Sequence, residues 1–238
     1  QLLKIAQSPK EQPHLRLEAV TVLGAIAADG VYDTMLDLLG DRTPAIRGAA
    51  IRSLARLDPE GFVTVLSGLD PDPNWTVRAA LASALGDLTA ESGMPRLRSM
   101  LADTEPKVLP AVIAAIAKLR PADAGPLILE QLKAADPAVR AAAARAISEV
   151  KPAGGPAALN DAYQRSLGDT TYIARAAALA ALRQYSVEVA TPLLTDALAD
   201  KDWAVRVQAA TLLTELNPGT DARARIRPAP SARASDWY

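Results

Sequence analysis

The sequence predicts an all-α solenoid of about seven helix–turn–helix repeats, from a fixed register, an aromatic-poor apolar composition and regularly placed helix breakers. The register shows in a segment that recurs. Pro44-Ala-Ile-Arg47-Gly-Ala-Ala-Ile-Arg-Ser-Leu54 returns around Arg78, Arg140 and Arg206, and weaker copies surround Arg16, Leu109 and Arg175. The anchors Arg16, Arg47, Arg78, Leu109 and Arg140 stand 31 residues apart; Arg175 follows after 35 and Arg206 after 31. Half of the 238 residues are apolar but only 4% are aromatic, and Phe62 is the single phenylalanine. A core of alanine and leucine suits helices that approach closely through small side chains.

The second helix of each repeat follows from its columns. One residue before the anchor stand Leu15, Ile46, Val77, Val108, Val139, Ala174 and Val205. Three after it stand Ala19, Ala50, Leu81, Val112, Ala143, Ala178 and Ala209, and seven after it Leu23, Leu54, Leu85, Ile116, Ile147, Leu182 and Leu213. Ten after it stand Ile26, Leu57, Leu88, Leu119, Val150, Tyr185 and Leu216. These offsets trace one stripe of an α-helix. Proline three before the anchor, at Pro13, Pro44, Pro106 and Pro137, marks the first helical turn.

The first helices are the amphipathic stretches upstream, such as Tyr32–Leu39, Met94–Leu101, Pro126–Leu132 and Thr191–Leu198. Gly40-Asp41, Asp70–Pro73, Asp103-Thr104 and Ala135-Asp136 break the chain within repeats, and Asp58-Pro59, Pro121, Lys151-Pro152 and Asn217-Pro218 break it between them. One such unit has too little core to stand alone, so stacking buries the stripes. The array is expected over 1–217.

The pattern Asp-x-x-Pro-x-Val-Arg-x-x-Ala-x-x-Ala-Leu resembles the HEAT-repeat family, and the 31-residue period is similar to its short bacterial branch, which includes the phycobilisome-lyase type. The resemblance implies that the anchor arginine pairs with an aspartate of a neighbouring repeat. Arg47, Arg78, Arg140, Arg175 and Arg206 match the arginine column; Asp41, Asp72, Asp103, Asp169 and Asp200, six before an anchor, match the aspartate column. These charges are thereby assigned to structure.

Departures from the pattern are where function concentrates. Leu109-Pro110 replaces an anchor and predicts a late helix start or a bend. Four added residues before Arg175, about one helical turn, predict a longer first helix or a protruding turn within 157–172. Where four repeats have proline, the others have Trp75, Tyr172 and Trp203 at a helix start, placed either on an exposed edge or in the groove between repeats. Exposed aromatics at a rim make good anchors for a partner.

Catalytic patterns are missing from the sequence. His14 is the single histidine and there is no cysteine, which excludes a histidine-based triad and Cys/His metal clusters. No Gly-rich phosphate loop or nucleophile elbow occurs. Asp70-Pro-Asp72-Pro-Asn74 opens like a calcium loop but has Trp75 at its sixth position and Leu81 at its twelfth, so it reads as a turn. No cofactor is expected.

The second helices, opposite their buried stripe, carry Arg52 and Arg56, Ser83 and Asp87, Ala114 and Lys118, Arg145 and Glu149, Arg183 and Gln184, and Thr211 and Glu215. With a net charge of −1 and both signs along this row, no nucleic-acid partner is expected. No apolar run approaches the ~18 residues of a membrane span. The expected partner is another protein or an extended peptide, bound by a monomer. Residues 218–238 hold four arginines and two prolines between Asp221 and Tyr238 without helical periodicity, and read as a linker. They resemble the connector between a HEAT array and a cyclophilin-type peptidyl-prolyl isomerase domain in some bacterial exported proteins, which implies an exported or periplasmic location. The function expected is a non-catalytic interaction scaffold; the alternatives are a modifying enzyme of the phycobilisome-lyase-like type and a nucleic-acid-binding HEAT-like solenoid.

Overall fold

Residues 1–26 and 28–217 are described by the computed structural model, so the expected linker at 218–238 lies outside them. Among the described residues there are fourteen α-helices, three short 3-10 turns and no strand. The helices fall into two compact units, Gln1–Pro121 and Ala122 onward.

The first unit contains four helix pairs: α1 (Leu2–Gln7) with α2 (Pro13–Leu23), α3 (Val31–Asp37) with α4 (Pro44–Leu57), α5 (Pro59–Ser67) with α6 (Trp75–Leu85), and α7 (Ala90–Met100) with α8 (Leu109–Leu119). Helix starts are set locally. Pro13 and Pro44 open α2 and α4, Asn74 caps α6 by accepting from the Thr76 amide, and Thr89 caps α7 by accepting from the Ser92 amide. The second helices stack on one another through alanine, as Ala49, Ala50, Ala80, Ala82 and Ala84 are all buried. Gly93 lets α7 lie against the end of α6, since a Cβ there would meet the Leu85 carbonyl oxygen at 2.6 Å.

The second unit contains three pairs: α9 (Ala124–Gln131) with α10 (Pro137–Val150), α11 (Gly155–Arg165) with α12 (Ile173–Leu182), and α13 (Val187–Asp196) with α14 (Trp203–Leu216). Its core again runs through the second helices, with Ala143, Ile147, Ala178, Leu182, Ala209 and Leu213 buried. α10 ends on Lys151 in the left-handed conformation (φ 50°, ψ 55°), a position that favours glycine.

Several expectations are refined. The columns three and seven after the anchor are buried in every repeat. Leu15 instead is exposed, because α1 has only six residues and does not reach over it. The column ten after the anchor is half-buried, and at Ile26 exposed, because it falls on the last residue of the helix or beyond it. α8 starts at Leu109, so Pro110 sits in the first turn, where its missing amide costs no helical bond. The added residues before Arg175 are absorbed within helical structure: α11 spans 11 residues, as α7 does, and continues into the 3-10 turn Ser166–Gly168.

Candidate functional site

The turn between the two helices of each repeat carries most of the charge chemistry. In the first unit, Arg47 Nε and Nη2 grip both carboxylate oxygens of Asp72 at 2.6 and 2.8 Å, and Arg78 grips Asp103 at 2.6 and 2.9 Å. Arg16 reaches Asp41 differently, through Nη2 at 2.5 Å and Nη1 at a long 3.5 Å, while its Nε donates to the Ala6 carbonyl at 3.1 Å. Each aspartate lies 25 residues beyond its arginine, in the next repeat. The chain of bonds continues, because Arg47 Nη1 donates to the carbonyl of Asp41 and Arg78 Nη1 to that of Asp72, both at 2.8 Å. Bidentate charge-assisted bonds of this kind are stronger than neutral ones. Hydrogen bonds from Arg47 and Arg78 hold the carboxyls of Asp72 and Asp103 below the usual carboxylate range. Burial pushes Asp41 upward, but the bonds from Arg16 and the Thr43 amide outweigh it and leave its pKa lowered.

The second unit varies the scheme. Arg140 reaches Ser166 Oγ at 3.2 Å with Nε and pairs with Asp169 through Nη2. Arg175, fully buried, divides its guanidinium between Asp200, at 3.0 Å, and Asp202. Tyr163 Oη also donates to Asp200 at 2.6 Å, and burial followed by this bond raises the tyrosine pKa. Arg206 donates through Nη1 to the carbonyls of Asp200 and Lys201, while its buried Nε has no acceptor among the described residues.

The rim aromatics are exposed rather than sunk between repeats. Trp75 opens α6, Tyr172 precedes α12 and Trp203 opens α14, with relative exposures of 37%, 45% and 62%. Lys107 lies over the Trp75 ring, 5.4 Å from its centroid. Beside Tyr172, the side chains of Leu167 and Ile173 are exposed as well. Arg52, Arg56, Lys118, Arg145, Glu149 and Glu215 on the second helices are all exposed, as are Asp87, Arg183 and Gln184, which lie just past the ends of α6 and α12 instead of on them. Opposite charges there meet across neighbouring repeats, Lys118 with Asp87 and Arg183 with Glu215. Among the described residues no group of three or more histidine or acidic side chains is placed to hold a metal, and no helix is long and apolar enough to cross a membrane.

A family model of HEAT repeats matches residues 1–86, 62–148 and 94–183. The chain belongs to the HEAT-repeat family. Comparison with curated proteins returns no match. Among solved structures, the complex of CpcE and CpcF of phycocyanin lyase from Nostoc sp. PCC7120 is similar at 24% identity and a TM-score of 0.52, covering 94% of this chain and 90% of that one. An engineered protein is similar at 19% identity and a TM-score of 0.50, covering 94% of this chain and 70% of its own. At these identities the likeness shows the fold alone.

In this HEAT array, three partners of the ladder do not stand out from the columns. Arg16 makes a rung although the pattern around it is weak, Ser166 enters from the 3-10 turn that follows α11, and Asp202 joins Arg175 beside its regular partner Asp200. One rung is missing from the sequence on both sides at once: Leu109 stands in the arginine column, and Ala134, 25 residues on, in the aspartate column.

Proposed function

We propose that this HEAT-repeat chain is a non-catalytic interaction scaffold that holds a partner protein or an extended peptide. The observation that carries this reading is the exposure of Trp75, Tyr172 and Trp203 at one recurrent position, the start of a second helix. Rigidly mounted aromatics supply contact area at little entropic cost and dominate binding energy where they are covered. The anchor arginines other than Arg206, by contrast, are engaged by carboxylates inside the array, and Arg206 itself is buried. The exposed charged residues of the second helices, Arg52 and Arg56 among them, supply the polar complement. In this reading the array is the repeat arm of a larger bacterial protein with a C-terminal peptidyl-prolyl isomerase domain, for which it positions clients.

The test is capture of partners from an extract of the source organism by the wild-type chain, by Tyr172→Ala/Trp203→Ala and by Arg52→Ala/Arg56→Ala, with helix content checked by circular dichroism. Captured proteins are then measured directly for binding. The aromatic double variant is expected to lose at least about tenfold in affinity, as hot-spot truncations do. A partner held equally by all three proteins sinks the reading.

A further inference from the structure

The third and fourth helix pairs of the first unit enclose a cleft of about 540 Å³ at their turns. Its floor and walls are Leu81, Met100, Pro71 and Pro73, and Arg78 and Arg96 supply the polar end. That volume lies in the range of ligand sites. Arg78 is fully engaged by Asp103 and by the carbonyls of Asp72 and Pro73. Arg96 is not. Its one hydrogen bond among the described residues runs from Nη2 to the Leu69 carbonyl, at a long 3.4 Å, which leaves most of its five N–H donors available.

Arg96 is also out of place in the repeat. Thirteen residues before the other anchors stand Leu3, Thr34, Val65, Leu127, Ala162 and Leu193, none of them charged. The half-buried guanidinium lines both this cleft and the adjoining cavity of about 60 Å³ behind it. The carboxylates at hand do not neutralise it: Asp72 and Asp103 are held by Arg47 and Arg78, and the exposed Asp70 makes no ion pair among the described residues.

We propose that this cleft docks an acidic side chain flanked by apolar residues on an extended segment of a partner protein, with Arg96 as the counter-ion. A guanidinium with free donors pairs a carboxylate in bidentate fashion, and the leucine, methionine and proline walls take the flanking side chains. The cleft is bordered by the exposed turn residues Pro71 and Pro73 on one side and Ala102 and Thr104 on the other. A chain can therefore cross it, which favours a side-chain carboxylate over a chain terminus.

The inference rests on the protein-binding reading above, but its test leaves the rim aromatics untouched. The full chain is titrated with N-acetyl-Leu-Glu-Leu-amide, its Gln counterpart, and N-acetyl-Leu-Gln-Leu with a free carboxyl terminus, following arginine Nε–H resonances. The Glu peptide is expected to shift the Arg96 resonance and to saturate below about 10 mM. Arg96→Leu, which installs the residue other repeats carry, is expected to fold normally and to bind the Glu peptide at least about tenfold more weakly, the scale of a lost charged hydrogen bond. Equal binding of the Glu and Gln peptides, equal binding by Arg96→Leu, no saturation, or preference for the free terminus each overturns the proposal. A protein that keeps its partner through the rim yet ignores the peptide loses this site alone.

Discussion

Arg175 shows how much a single side chain carries in this array. It is fully buried, Asp200 is buried beside it, and Tyr163, Asp202 and the Ser166 carbonyl complete its shell. Removing one member of such a pair strands the other in a medium that solvates charge poorly, at a cost of about 3–5 kcal/mol. Arg175→Leu is therefore expected to lower the urea midpoint sharply. Arg175→Leu/Asp200→Leu is expected to recover part of that loss, since Asp202, the partner left over, is partly exposed and no charge is stranded in the interior. Equilibrium urea unfolding of the three proteins checks both statements.

At the scale of the element, helix ends decide more than helix middles. Pro44, Asn74 and Thr89 start their helices by local rules, and those starts are legible in the sequence because proline, asparagine and threonine each satisfy or forgo an amide in a known way. The end of α10 breaks the rule, since Lys151 adopts a left-handed backbone that costs a side chain about 1–2 kcal/mol. Lys151→Gly relieves this strain and is expected to stabilise the protein by about 1 kcal/mol net of the added chain entropy. Differential scanning calorimetry reads it as a raised transition temperature. The buried columns are equally legible, because a stripe at helical spacing has one face to bury. Leu15 and Ile26 were beyond that logic: whether a stripe residue is covered depends on the length of the helix facing it and on where its own helix stops. The aromatic rim could be placed on a turn by its column, but not in or out of the groove, because that choice depends on packing between repeats.

Across the whole molecule the ladder ties stability to pH. Asp41, Asp72 and Asp103 all have folded-state pKa values lowered from the ordinary one. A lowered folded value means the stabilisation is fully present above the unfolded pKa and disappears as pH falls through the folded one. Stability is thus expected to be flat near neutrality and to decline from about pH 5 downward, where unfolded carboxyls begin to bind protons first. Asp72→Asn is expected to be less stable at pH 7 and to show a shallower decline. Urea midpoints taken at steps from pH 7 to about pH 2.5 check the slope, and an unchanged slope in the variant would falsify the assignment. The column pairings themselves can be read from spacing, Arg140 with Asp169 and Arg175 with Asp200 included, whereas the added bonds to Ser166 and Asp202 cannot.

In the first unit two of the ladder aspartates are held twice, Asp41 by Arg16 at its carboxylate and by Arg47 at its carbonyl, Asp72 by Arg47 and then Arg78. A pull applied along these repeats therefore passes from turn to turn through directional bonds that resist stretching. Away from the turns, the same helices touch through alanine methyl groups, whose attraction is weak per atom and tolerant of sliding. Under load such a unit is expected to spread at its far helix ends while its turns keep their spacing.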